Sequence, residues 1–172
     1  MLQVGVVTTG SEVYHGRITD GFGPILQKKM SELGSTVMKQ VFADDDISMI
    51  AERIQLLIRD GAQMIITTGG MSVDPDDVTP AGIRAAGGHV VVYGAPVLPG
   101  SMFMLAYVNQ IPVIGLPGGA LYHQTTIFDI IVPRLLAGEV ITRKDITRLA
   151  HGGLCAQCKP CRYPVCAFGK GN

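Results

Sequence analysis

The sequence predicts an α/β fold: a three-layer arrangement of a mostly parallel sheet with helices on both faces, followed by a short cysteine-rich C-terminal extension. Two observations carry this expectation. Apolar runs of four to seven residues alternate along the chain with amphipathic stretches of ten or more, as strands joined by covering helices do. The amphipathic stretches open near Asp, Thr or Pro and close near Gly, the start and stop signals of helices.

Strands are expected near Leu2–Thr8, Thr36–Phe42, Met64–Thr68, His89–Gly94 and Val113–Leu116. Phe22–Leu33 reads as a helix capped by Asp20, and Ile47–Arg59 as one capped by Asp46. A short helix starts with Thr79 as cap and Pro80 in its first turn, and ends near Gly87. From Ala120 to about Leu136, Ile127, Ile130, Ile131 and Leu135 share one stripe, so one continuous helix is expected, with Pro133 bending its final turn. Pro99-Gly100 reads as loop, and Phe103–Val108 as a short strand that Asn109-Gln110 turns back, antiparallel, toward Val113. Gly, Cys and Pro become dense after Leu149. The chain therefore divides into a domain over 1–139, a linker over 140–153 and a tail over 154–172.

With 172 residues and 47% hydrophobic content, the chain can build one main domain with a substantial core. Lys plus Arg and Asp plus Glu both number 14, so the basic field of a nucleic-acid binder is missing and no such partner is expected. Asp129 and Arg134 interrupt the most apolar late stretch, so no run reaches the roughly 18 residues of a membrane span, and no membrane partner is expected. Leu2-Gln3-Val4-Gly5-Val6-Val7 lacks the basic start of a secretory signal, which points to a cytoplasmic location.

In an open parallel sheet, ligands bind beyond the carboxyl ends of the strands. The loops expected there are Thr9-Gly10-Ser11-Glu12, Asp44-Asp45-Asp46, the segment from Thr68 to Pro80, and Pro117-Gly118-Gly119-Ala120. Gly69 and Gly70 let backbone amides approach a ligand without interference from a Cβ, and the amides near Gly118 and Gly119 suit oxyanions in the same way. Asp74, Asp76 and Asp77 would repel a phosphate unless a divalent cation such as Mg²⁺ lay between them and the ligand oxygens. Thr68 and Ser72 offer hydroxyls to the same ligand.

The tail carries a separate chemistry. Cys155, Cys158, Cys161 and Cys166, all the cysteines of the chain, follow a Cys-x2-Cys-x2-Cys-x4-Cys spacing. Four thiolates so close suit a tetrahedral Zn²⁺ site or a [4Fe–4S] cluster, and Lys159, Arg162 and Lys170 would help neutralise either. His15, His89, His123 and His151 show no metal spacing.

Thr9-Gly10-Ser11-Glu12, Asp44-Asp45, Gly69-Gly70-Met71-Ser72-Val73 and Gly115-Leu116-Pro117-Gly118 resemble, in order and spacing, the motifs of a known domain. It is the molybdopterin-binding domain shared by molybdopterin adenylyltransferases, molybdopterin molybdenumtransferases and the competence-damage-inducible family, and the likeness covers about residues 3–139. Asp77-Val78-Thr79-Pro80 is similar to the adenylyltransferase branch. Gly16-Arg17-Ile18-Thr19-Asp20, Pro99-Gly100 and Gly115–Gly118 are similar to the molybdenumtransferase branch, although Gly119-Ala120 stands where that branch has Asn-Pro. The resemblance implies molybdopterin as ligand, a pterin with a dithiolene and a terminal phosphate, with molybdate or ATP as second component. It further implies Asp45 and Asp77 as Mg²⁺ ligands or as electrostatic controls of transfer, with Thr9, Gly10, Glu12, Asp74 and Pro117 in the same site, and a homo-oligomer, dimer or trimer. The expected function is molybdopterin binding in cofactor biosynthesis or molybdenum insertion. A non-catalytic carrier or sensor, and a hydrolase of the competence-damage-inducible type, are the other readings.

Overall fold

A computed structural model describes residues 2–72, 74 and 77–171, and the backbone alone at Ala120 and Leu121. Val73, Pro75 and Asp76, part of the expected ligand loop, lie outside the described residues. The strands are β1 (Gln3–Thr9), β2 (Thr36–Ala43), β3 (Met64–Thr68), β4 (His89–Tyr93), β5 (Met104–Val108) and β6 (Ile111–Leu116). They form one sheet in the order β2-β1-β3-β6-β5-β4. β1, β2, β3 and β6 are mutually parallel, and β5 runs antiparallel to both β4 and β6, as expected for a chain that turns back at Asn109-Gln110. Those two residues have φ of 48° and 68°, the left-handed pair that a two-residue hairpin matching the strand twist requires.

The helices are α1 (Ser11–Tyr14), α2 (Phe22–Glu32), α3 (Ile47–Arg59), α4 (Thr79–Ala85), α5 (Gly119–Tyr122), α6 (Ile127–Leu136) and α7 (Arg143–Thr147). Side chains alternate across each strand, which gives the sheet two apolar faces. Val4, Val6, Met64, Ile66, Ile114 and Leu116 meet α2 and α6 on one face, where Leu26, Met30, Phe128 and Ile131 are buried. Val7, Ile65, Met104 and Val113 meet α3 and α4 on the other, against Ile50, Ile54, Leu57 and Ile83. Each such side chain contributes about 1.5–3 kcal/mol on leaving water.

Asp46 caps α3 as expected, its side chain accepting the Met49 amide at 2.7 Å. Asp20 accepts the amides of Phe22 and Gly23, both at 2.9 Å. Two expectations are corrected. The continuous helix from Ala120 is two helices, because Thr126 and Asp129 form a capping box that starts α6 afresh. Thr79 is not a cap but the first helical residue of α4, and its hydroxyl is used elsewhere. Residues 140–153 carry α7 and a 3₁₀ turn, and Ile141, Ile146 and Leu149 join the α2/α6 core together with Phe168 of the tail.

Candidate ligand site at the carboxyl edge of the sheet

The four parallel strands end level: Thr9 pairs with Ala43, Thr8 with Thr68, and Thr68 with Leu116. Their following loops therefore emerge at one edge. β2 flanks β1 on one side and β3 on the other, so the connections diverge between β1 and β3. Open α/β sheets hold ligands at such a switch point.

A buried hydroxyl network fixes these loops. Thr8, Thr9, Thr68 and Thr79 are each at most 3% exposed. Thr9 Oγ1 donates to the Thr68 carbonyl at 3.1 Å and lies 2.8 Å from Thr79 Oγ1; with its own proton engaged, it must accept from Thr79. Thr68 Oγ1 donates to Thr8 Oγ1 at 3.3 Å, and Gln40 Nε2 donates to Thr8 at 2.8 Å and to Asp20 at 2.6 Å. One chain of contacts thus joins the start of α2 to the start of α4. No sequence motif announces it, although a run of threonines at strand ends is its trace.

Gly69 and Gly70 have φ of 87° and 52°, and both are crowded. A Cβ at Gly69 would strike the Thr9 carbonyl, and one at Gly70 would come within 2.6 Å of Thr79 Oγ1. The loop geometry itself therefore requires glycine at both positions.

The acidic candidates hold neighbouring loops. Asp45 Oδ2 accepts the Ser11 amide at 2.9 Å, tying the loop after β2 to the loop after β1 that contains Gly10 and Glu12. Asp77 Oδ2 accepts the Ser72 amide at 2.6 Å, the Asp77 amide donates to the Asp74 carbonyl at 3.0 Å, and the Tyr93 hydroxyl donates to the Ser72 carbonyl at 3.2 Å. Burial, and then the charge of Asp77, push the Tyr93 phenol above its usual pKa. Asp45, Glu12, Ser72 and Asp74 are exposed and Asp77 half-buried. Pro117, Gly118 and Gly119 follow β6 at the same edge, where a Cβ on Gly119 would lie 4.0 Å from the His123 ring.

The tail lies behind that last loop. A recess of about 200 Å³ has Tyr122, His123, Gln124 and Thr125 on one wall and Cys155, Cys158 and Cys161 on the other. A second, of about 80 Å³, is lined by all four cysteines with Tyr163 and Phe168. The expected four-thiolate sphere is not formed: among the described residues, no three His, Cys, Asp or Glu side chains are gathered to hold a metal ion. The cysteines are free and half-buried, and other contacts hold the tail to the domain. Phe168 is in the core, and Tyr163 donates to the Asp129 carbonyl at 2.8 Å. The Cys161 thiol lies 3.4 Å from Thr125 Oγ1. Hydrogen bonds from the Thr125 hydroxyl and the Tyr163 amide hold its pKa below the usual thiol value.

Fold and edge together define an α/β domain whose glycine- and acid-bearing loops gather at one edge of the sheet beside a switch point. The family described as "Probable molybdopterin binding domain" matches residues 5–137, and the chain belongs to this family. It is 34% identical over 87 residues to a CinA-like protein of Frankia casuarinae, covering 51% of this chain and 20% of that one. It is 27% identical over 146 residues to a molybdopterin molybdenumtransferase of Synechococcus elongatus, covering 79% of this chain and 36% of that one. The chain thus spans well under half the length of these relatives. The fold is similar to that of the molybdopterin biosynthesis enzyme MoaB of Thermus thermophilus, with TM-score 0.62, 19% identity, and coverage of 81% of this chain and 98% of that one. A MogA structure is similar at TM-score 0.61 and 20% identity, with coverage of 79% and 98%.

Proposed function

We propose that the chain binds molybdopterin at the carboxyl edge of its sheet and acts in molybdenum-cofactor biosynthesis or molybdenum insertion. The observation that carries this reading is the convergence of the four glycine and acid loops at one edge beside the β1/β3 switch point, where Thr9 ties the loop after β1 to the end of β3 and the start of α4, and Asp45 ties the loop after β2 to Ser11. Gly69, Gly70, Gly118 and Gly119 would present amides to the phosphate, with Thr9, Gly10, Glu12, Thr68, Ser72, Asp74 and Pro117 around it.

Asp45 and Asp77 fit a Mg²⁺ reading of limited kind. They stand in separate loops, and each already serves an amide through Oδ2. Such carboxylates do not make an all-protein cage, but Mg²⁺ is commonly held by one or two carboxylates, waters and ligand phosphate oxygens. Bound there, the ion would offset phosphate charge. Asp45 and Asp77 would hold and orient it, and the ion's positive charge with the glycine amides would favour an incoming molybdate or adenylyl group. For the tail, the reading is a zinc or [4Fe–4S] centre on Cys155, Cys158, Cys161 and Cys166. The protein is read as cytoplasmic and as a dimer or trimer; among the described residues, no helix is long and apolar enough to cross a membrane.

The likeness to a CinA-like protein favours a second reading, a hydrolase acting at the same edge. Titrating molybdopterin, its adenylylated form, molybdate and Mg-ATP separately and together, with product analysis, tests the choice. Transfer to the pterin supports the first reading, hydrolysis of a nucleotide-linked substrate the second, and binding without turnover a carrier. Failure of every pterin form to bind overturns the pterin site.

A further inference from the structure

The thiol recess and the ligand edge are two sides of one segment. Gly118 and Gly119 lead into α5, and the chain then passes His123, Gln124 and Thr125 before α6 begins. The Gly119 side of this segment approaches the His123 ring, while His123, Gln124 and Thr125 form a wall of the recess that Cys155, Cys158 and Cys161 face. Thr125 meets Cys161 at 3.4 Å, and Lys29 Nζ donates to the Gln124 carbonyl at 3.0 Å. Asp129 caps α6 by accepting the Thr126 amide at 2.8 Å, and its own carbonyl accepts from Tyr163 of the tail. Tail and segment are thus anchored to the same helix start.

The four thiols share one small recess, yet they are not drawn into a single coordination sphere. The base of the tail is fixed: Phe168 is 4% exposed, and the Gly169 amide donates to the Gly152 carbonyl at 2.9 Å. At the other end the Cys155 amide donates to the Leu98 carbonyl at 2.9 Å, so tightening would fall on the stretch from Ala156 to Cys161 and on the wall it touches.

We propose that Cys155, Cys158, Cys161 and Cys166 close around one thiophilic metal centre, and that closure fixes the His123–Thr125 segment and with it the Gly118-Gly119 loop of the ligand edge. This inference rests on the metal reading of the tail and not on the pterin reading. Each thiol would give up its proton on binding the centre. The bound Cys161 thiolate then accepts from Thr125, a charge-assisted bond that draws the wall toward the centre.

The full chain, reduced and kept from oxygen, would be titrated with Co²⁺ and then Zn²⁺. A parallel sample would be reconstituted with iron and sulfide. Amide hydrogen exchange of residues 117–126 would be followed in each. One Co²⁺ per chain with intense visible thiolate bands, bleached by Zn²⁺, marks a mononuclear site; a brown sample with iron and sulfide in near-equal amounts marks a cluster. Either supports the metal centre, and metal uptake should slow exchange at His123–Thr125 at least tenfold. Cys158→Ser should abolish both effects, whereas Thr125→Val should keep metal uptake and lose most of the slowing. Absence of thiolate-bound metal in both samples overturns the proposal, as does uptake that leaves exchange of 117–126 unchanged. Slowed exchange without binding of any pterin form would leave the proposal standing and remove the pterin reading instead.

Discussion

Thr9 and Thr79, separated by 70 positions in the chain, meet hydroxyl to hydroxyl at 2.8 Å in the interior of the sheet's carboxyl edge. Thr9 also donates to the last carbonyl of β3. One side chain therefore sets the loop after β1, the loop after β3 and the start of α4 against one another. Thr9→Val conserves shape but leaves the Thr79 hydroxyl and the Thr68 carbonyl without this partner. An unsatisfied buried polar group costs about 1–3 kcal/mol, so a loss of that order is expected in denaturant melts. Thr79→Ser, which keeps the hydroxyl, should lose less than Thr9→Val. Equal losses would show that packing, and not the hydroxyl pair, holds the loops.

The glycine loop allows a sharper contrast. Gly70→Val puts a branched side chain at a φ of 52° and into Thr79. It should abolish ligand binding even where the variant still folds. Met71 is 3% exposed, with its thioether end against Gly115, so Met71→Leu is a core change of similar volume costing less than about 1.5 kcal/mol and leaving affinity unchanged. Calorimetric titration of the two folded variants with molybdopterin checks this. Equal affinities would exclude the loop from the site.

Asp77 has two separable jobs, accepting the Ser72 amide and carrying charge. Asn retains an acceptor, so Asp77→Asn should preserve the loop while lowering ligand affinity in Mg²⁺ about tenfold, or about 1.4 kcal/mol. Asp77→Ala should also loosen the loop. A ligand-free check exists, because the charge of Asp77 helps to raise the Tyr93 phenol. In Asp77→Asn that phenol should titrate at lower pH, remaining somewhat raised by burial. An ultraviolet titration compared with a Tyr93→Phe control would reveal it. An unmoved phenol would mean that the carboxylate does not face this ring in solution.

The layers and the edge were legible in the sequence because both rest on periodicity and on strand-end punctuation. The β5–β6 turn was readable from Asn109-Gln110, and the α3 cap from Asp46. What escaped was information held in contacts between distant residues. Thr79 looked like a cap because it precedes Pro80, yet a partner at Thr9 claims its hydroxyl. The apolar stripe over residues 127–135 hid the break before it, since Thr126 and Asp129 resemble ordinary polar positions until their mutual hydrogen bonds are seen. The spacing of the cysteines suggested a metal, but spacing alone does not set where sulfurs point.

The break itself is testable. Thr126→Ala removes the hydroxyl that accepts the Phe128 amide at 3.2 Å, and such cap losses cost about 0.5–2 kcal/mol. A melt lowered by this amount is expected, with the sheet's spectroscopic signature retained. If α5 and α6 were continuous in solution, Thr126 would be an interior helix residue and alanine, the better helix former, would raise stability.

The last prediction concerns pH and the end of the domain. Asp145 of α7 is held down to about 2 by the Thr142 hydroxyl and amide, with Arg134 adding to the effect. Its folded value lies below its ordinary 3.8, so its contribution to stability is complete above that ordinary value and disappears as pH falls through about 2. The carboxylate is partly open to water, and screening keeps the contribution small. Asp145→Asn retains an acceptor for the Thr142 groups but not the charge. Its melting temperature should therefore trail the unaltered chain at pH 6, and the two should converge as pH approaches 2. A gap that stays constant across this window would show that the neutral amide disturbs packing around Ile146, and that the charge of Asp145 adds nothing to the hold of α7 on the core.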